Sequence, residues 1–243
     1  MGSMKGTRLV LTSLLACAAL PVLAGDCRAL IVSGDPGHEP NAAARFTDWT
    51  NRWAAVLKDV YGFKPGNVRV LRSPKRGDEA KLAPADTATH DNVLAALGSL
   101  VRDSADGDQV LLVLIGHGYD SQNVSRLCLS GKDISDVEAA RALEKLRARQ
   151  FICINTAPAS SGWAAALARN GRVTIVAAAT PGLRSQTYFN EFLLRALSPG
   201  KVTLLDAFNR AALQTIRWYQ NHFIDRDVTK VHGKEFQGPP RAG

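Results

Sequence analysis

The sequence predicts an α/β three-layer sandwich, with a mainly parallel sheet and helices on both faces. Three observations carry this expectation. Five short apolar runs are rich in β-branched residues; each is apolar at nearly every position, as strands covered on both faces are; and stretches with a helical period lie between them. Parallel neighbours need crossovers long enough to hold a helix, so this alternation reads as a doubly wound sheet.

The runs are Ala29–Val32, Val68–Leu71, Val110–Ile115, Phe151–Ile154 and Val173–Val176. Between the first two, Phe46, Trp49, Trp53, Val56, Leu57 and Val60 recur every three or four residues, and Gly62 marks where the chain leaves the helix. Val93, Leu94, Leu97, Leu100 and Val101 form a second stripe behind a cap at Thr89. Val137, Ala140, Leu143 and Leu146 form a third, with Asp133 or Ser135 as its cap. Two helices close the domain, one from about Tyr188 to Leu197 and one from Thr203 to about His222. The second carries Leu204, Leu205, Phe208, Ala212, Leu213 and Ile216 as its stripe, with Trp218 and Tyr219 read as core. Pro65-Gly66 and Ser73 to Ala88 read as surface loops.

Composition narrows the class further. At 243 residues, 46% hydrophobic and 21% charged, the chain is an ordinary globular one, which excludes long disorder, collagen-like repeats and a disulfide-dense miniprotein. Residues 1–24 read as a secretory signal peptide. Lys5 and Arg8 precede the apolar run Leu9–Leu20, which is too short to span a bilayer, and Val22 and Ala24 frame a cleavage site. Leu14-Leu15-Ala16-Cys17 loosely resembles a lipoprotein box, so an anchor at Cys17 is the alternative. The expected product is a secreted or periplasmic domain, 25–222, with a charged tail, 223–243, and no transmembrane span.

The signal segment holds two positive charges and no negative ones, so the formal charge falls from +8 to +6 on its removal. That excess is scattered and lacks interleaved aromatics, which argues against a specific nucleic-acid partner. Cys27, Cys128 and Cys153 follow the signal, and one disulfide at most can form among them.

In a doubly wound sheet the reactive site lies beyond the carboxyl ends of the strands. The loops there are Ser33–Pro40, Gly116–Asp120, Asn155–Trp163 and Ala177–Gln186. Gly116-His117-Gly118, directly after the most apolar run, places an imidazole between glycines that let the backbone turn sharply, as a general base requires. Asn155 to Trp163 offers small residues at a strand-to-helix turn, which suit either a helix cap at Ser160 or Ser161 or a nucleophile site. Asp35, His38 and Glu39 in the first loop and Arg184 in the last are the candidate binding residues. No cofactor is expected: the histidines lack His-x-x-x-His spacing, and a metal on His38, Glu39 and His117 has no third good ligand. The Ser33–Gly37 turn lacks dinucleotide-fold glycine spacing.

Taken together, these pieces resemble the caspase-fold clan of cysteine peptidases, and within it the legumain-like family. The segment Phe46–Leu71, with Tyr61-Gly62-Phe63-Lys64-Pro65-Gly66-Asn67, is similar to that family's first helix and second strand. Asp106–Gly118 is similar to its histidine strand, and Gly171–Thr180 to the strand after its nucleophile. The likeness covers roughly Ala29 to Leu197. It implies a caspase-like fold, His117 as the catalytic histidine, and Gly118 as the glycine whose amide helps hold an oxyanion.

The family also implies a cysteine in an Ala-Cys-Glu-Ser-Gly type of turn, and here the sequence departs from it. Alignment from the strand puts Ala157 at the cysteine position; alignment from Ser161-Gly162 puts Ala159 there. A methyl group cannot attack a carbonyl, so covalent catalysis is lost outright. The first expectation is therefore a degenerate pseudopeptidase that serves as a binding or scaffold module for a peptide or protein. The alternative is an active hydrolase in which His117 activates Ser160, Ser161, Thr156 or Cys153, although Cys153 lies within an apolar run where a thiol is inert.

Overall fold

The computed structural model of the chain describes residues 25–39, 41–74, 82–168 and 188–223, together with the backbone of a strand at 173–177. All five predicted runs are strands: β1 (Cys27–Ser33), β2 (Val68–Arg72), β3 (Gln109–Ile115), β7 (Gln150–Asn155) and β8 (Val173–Ala177). They form one parallel sheet in the order β2-β1-β3-β7-β8. Helices α1 (Ala42–Ala55), α2 (His90–Asp103), α3 (Asp136–Ala142) and α4 (Ser161–Leu167) lie in the successive crossovers. Helices α5 (Phe189–Leu197) and α6 (Leu204–Phe223) follow the sheet.

The strands are apolar throughout because both faces are covered. Ala29, Ile31, Leu111, Val113, Ile115, Ile152 and Ile154 face α1, α5 and α6, in a core with Phe46, Trp49 and Trp53. Leu30, Val32, Leu112, Leu114, Phe151 and Cys153 face α2, α3 and α4, in a core with Leu97, Trp163 and Leu167. Large aromatics can sit this deep only if their N–H groups find acceptors. Trp53 Nε1 donates to Asn190 Oδ1 at 2.8 Å, and Trp49 Nε1 to Glu191 Oε2 at 2.9 Å. Arg52 completes that clamp between α1 and α5, 2.7 Å from Glu191 Oε2. Its attraction and the hydrogen bonds outweigh burial and hold the Glu191 carboxyl below its ordinary range.

Helix boundaries follow the predicted signals, with three corrections. Thr89 caps α2 by accepting from the Asn92 amide, and Gly62 leaves the first helix with φ of +71°. That helix ends in a wider turn, Val56–Val60, rather than as one continuous α-helix. For α3 the cap is Ser135, closed reciprocally by Glu138, while Asp133 serves elsewhere. The stripe of α3 turns on Ala139 and Leu143, and Val137 is exposed. The stripe of α6 also differs: Leu204, Ala207, Ala211 and Trp218 are buried, whereas Leu205, Leu213 and Ile216 face outward. That helix is apolar on more than one side, and its small alanines take the side facing the core. Ser73–Ala88 holds a short 3-10 turn, Pro84–Asp86, and a bridge from Arg72 to Thr87; residues 75–81 lie outside the described residues.

A second, antiparallel sheet of β4 (Gly118–Ser121), β5 (Val124–Leu127) and β6 (Ile134–Ser135) lies outside the predicted elements. Its hairpin turns on Gln122 and Asn123, both with positive φ, the twist a two-residue hairpin needs. This sheet sits immediately after β3 and folds the loop 128–133 back toward the strand ends.

Neither residues 1–24, read above as a signal peptide, nor residues 224–243 belong to the described residues. Among those that do, no helix is long and apolar enough to cross a membrane. Cys128 and Cys153 carry free thiols, so neither pairs with Cys27.

Candidate functional site

Sheet order fixes where a ligand can enter. From β1 the chain passes through α1 on one face; from β3 it passes to α3 on the other. Strands β1 and β3 are neighbours, so their carboxyl ends splay their loops apart and open a crevice between them. Register brings the strand ends level, with Ser33 opposite Ile115 and Leu114 opposite Asn155. Three of the predicted loops therefore meet at one edge.

The β1 exit is pinned by backbone bonds from Gly34 N to Ile115 O at 2.7 Å and from Asp35 N to Cys128 O at 2.9 Å. Asp35 Oδ1 accepts from Gly37 N at 2.8 Å, a local turn. His38 is exposed, and Glu39 is held by an ion pair with Arg45 of α1.

At the β3 exit, Gly116 adopts φ of +152°, and a Cβ there would stand 3.2 Å from the Gly34 Cα. This turn delivers His117 into the crevice with about a quarter of its side chain exposed. His117 Nε2 lies 3.1 Å from the Pro36 carbonyl oxygen and 3.6 Å from Glu39 Oε2, and its ring packs 5.4 Å from that of Phe46. A carbonyl can only accept, so Nε2 is the protonated nitrogen and Nδ1 carries the lone pair of the neutral ring. The imidazole is thus oriented in the way a general base needs, by a backbone group rather than a carboxylate.

The neighbouring β7 exit is packed much more tightly. Thr156 donates its amide and its hydroxyl to Leu114 O, at 2.9 and 3.0 Å, and the Asn155 side chain accepts from Ala157 N at 3.0 Å. Ala157, Ala159 and Ser160 are each at most 1% exposed, and Ala159 is held at φ of +56°. Ala157 meets Gly118 directly. A Cβ built on Gly118 would stand 3.4 Å from the Ala157 methyl, 2.5 Å from Pro158 O and 2.9 Å from Arg126 O, so only glycine fits between the two turns. Of the two alanines aligned with the cysteine, Ala157 is the side chain nearest Gly118.

The hydroxyls and thiols proposed as substitute nucleophiles are placed unfavourably. Cys153 is fully buried, and burial pushes its thiol up to about 12. Ser160 is fully buried as well. Ser161 opens α4, and its Oγ is buried with no hydrogen-bond partner among the described residues. Arg184 lies outside the described residues.

Asp35, His38, Glu39 and His117, picked from the sequence, do line one cleft of about 510 Å³. Sequence reasoning missed its opposite wall, Cys128, Leu129, Gly131 and Asp133, brought there by the small sheet. Asp133 Oδ1 accepts from the Leu129 amide at 3.0 Å and Oδ2 from the Tyr119 hydroxyl at 2.9 Å, which fixes its carboxylate at the cleft. Burial, then the negative charges of Asp133 and Asp35, push the Cys128 thiol up to about 11. The Gln122-Asn123 turn between β-formers was the one signal from which the hairpin behind this wall could have been read.

Known proteins add the fold and nothing finer. The crystal structure of protein GSU0716 from Geobacter sulfurreducens is similar to this chain with a TM-score of 0.51 and 16% identity, covering 78% of this chain and 89% of that one. At that identity the likeness establishes the α/β fold alone. No protein-family model and no curated protein matches the sequence.

Proposed function

We propose that the chain is an exported, legumain-like relative of the caspase-fold peptidases that has lost its nucleophile and works as a peptide- or protein-binding module. The observation that carries this reading is the meeting of Gly118 and Ala157. The strand-end histidine and the turn of the next strand lie side by side, as the resemblance requires, and the side chain at their junction is a methyl. His117 keeps a base's orientation, while the turn beside it presents no exposed thiol. Catalysis by acyl transfer needs a nucleophile within hydrogen-bond reach of the base and of the bound carbonyl. Binding needs only the cleft.

The rival reading, hydrolysis through Ser160, Ser161 or Cys153, would require the β7 turn to open and reverse the burial of these groups. A direct test exposes the leader-free protein to a fluorophosphonate and to iodoacetamide at neutral pH, with labelled residues mapped by mass spectrometry. The binding reading expects no label that His117→Ala removes. His117-dependent labelling of Ser160, Ser161 or Cys153 would establish the hydrolase instead.

A further inference from the structure

We propose that the outward face of α6 is a docking surface for an anionic lipid bilayer, on which Leu205, Leu213 and Ile216 enter the interface and Arg210 and Arg217 meet lipid phosphates. This goes beyond the cleft and is independent of what the cleft binds.

The helix is apolar on two sides, and the fold uses one of them. Ala207, Ala211 and Trp218 turn into the core shared with α1 and α5. Leu205, Leu213 and Ile216, each about half exposed, lie on the other side. At 3.6 residues per turn these three fall within about 80° of arc, so they form one stripe rather than scattered apolar positions. Asn209 and Gln220, which share the arc, are exposed and uncharged. A Cβ on Gly200 would stand 2.9 Å from Val60 Cγ1, so Val60, also exposed, adjoins the turn that leads into α6. Lys58 and Asp59 beside it offset each other in charge.

Charge selects the occupant. Arg210 and Arg217 border the stripe along one side; both are exposed, and among the described residues neither forms an ion pair. Lys201, exposed just before the helix, adds a third cation. The one carboxylate of α6, Asp206, is engaged at the helix start, where it accepts from the Thr203 hydroxyl at 2.8 Å and its amide donates to Thr203 Oγ1 at 3.0 Å. An apolar stripe edged by unpaired cations suits an anionic interface: guanidinium groups snorkel to phosphates while the aliphatic side chains enter the acyl boundary. A second copy fits less well. In an isologous pair the face meets itself, and Arg210 and Arg217 of one copy would oppose those of the other. A peptide also fits less well, because a single helix surface is convex and encloses nothing.

The test uses the leader-free chain, since the apolar run Leu9–Leu20 would itself enter a bilayer, in co-sedimentation with vesicles. Vesicles of phosphatidylglycerol and phosphatidylcholine in equal parts should bind it at least about tenfold tighter than phosphatidylcholine alone, with the preference shrinking as salt rises. Leu213→Gln with Ile216→Gln should weaken that binding about tenfold at every salt concentration, and Arg210→Gln with Arg217→Gln about tenfold at low salt only. In the unaltered protein, anionic vesicles should slow phenylglyoxal modification of Arg210 and Arg217 more than that of Arg149, an exposed arginine outside α6, a readout that does not depend on how the variants fold. No binding to anionic vesicles overturns the proposal. So does equal slowing at Arg149, which would mean attraction by net charge alone. A dimer in sedimentation velocity that Leu213→Gln with Ile216→Gln disperses would put a second copy on this face and overturn it as well. Each of these failures leaves the peptide-binding reading standing, because no residue of α6 lines the cleft.

Discussion

Two neighbouring strand ends are treated in opposite ways. At the end of β3 the chain keeps a polar, water-reachable imidazole, set by the Pro36 carbonyl and backed by Phe46. At the end of β7 it builds interior: Ala157, Ala159 and Ser160 are sealed, and Thr156 is tied to β3 by two hydrogen bonds. The contrast shows that the orientation of His117 needs no partner on the β7 turn. Its ring is held from the β1 side, by the Pro36 carbonyl and the Phe46 ring, while the β7 turn beside it is packed as core. The cleft follows the same division, opening toward β1 and the small sheet rather than toward β7.

The sharpest way to break the contrast is at the seam. Gly118→Ala drives a methyl to within 2.5 Å of one backbone oxygen and 2.9 Å of another, and neither can swing aside as a side chain could. We expect a loss of about 3 kcal/mol, read as a fall in the denaturation midpoint, on the scale of overpacking a close contact. An unchanged midpoint would mean that the two turns do not press together. Gly62→Ala, where nothing lies within 4 Å, should cost only the strain of a positive φ, about 1 kcal/mol.

The two free thiols sharpen the contrast at the next level. Cys153→Ser puts a hydroxyl into the apolar core beneath α4 and should cost about 2 kcal/mol; Cys128→Ser, at the cleft, should cost less than half of that. In native protein, alkylation of Cys128 should speed up with pH until about 11, the value to which burial and its acidic neighbours raise it. Cys153 should react only in denaturant. Mass spectrometry of time-quenched samples separates the two, and fast native labelling of Cys153 would mean that the β7 side opens.

The smallest effect lies away from both strand ends. Hydrogen bonds from Ser135, opposed by burial, and contacts with His90 and Lys132 hold the Glu138 carboxyl down to about 2. A folded pKa below the unfolded one gives stability that is present above about 4.5 and lost as pH falls toward 2. Glu138 is about a third exposed, so after solvent screening the contribution is under about 1 kcal/mol. Glu138→Gln should flatten the acid limb of a denaturation-midpoint profile in that window and leave neutral pH almost unchanged.

How far these features could be read in the sequence depended on how local they are. The parallel strands were legible because a strand buried on both faces writes itself as an unbroken apolar run, as Val110–Ile115 does. His117 and the β1 loop were legible because the sheet's topology sends strand ends to one edge. The far wall was not, because Cys128 and Asp133 reach the cleft through antiparallel pairing of short, half-polar strands whose register no local pattern announces. Helix α6 misled for a different reason: Leu205, Leu213 and Ile216 satisfy a helical period as well as the buried set does, and the choice is made by which side fits against α5.

The pseudopeptidase reading puts Ala157, the methyl against Gly118, where a nucleophile would meet His117. Placing a thiol there tests it most directly. Mass-spectrometric mapping of iodoacetamide adducts at neutral pH would compare the unaltered protein, Ala157→Cys and Ala157→Cys with His117→Ala. That reading predicts no adduct on the β7 turn of the unaltered protein; in Ala157→Cys, whose Sγ extends beyond the sealed methyl of position 157, it predicts a new adduct at 157 that is lost or markedly slowed in the double variant. A cysteine at 157 that reacts equally with and without His117, or an unaltered protein already labelled on that turn, would contradict it.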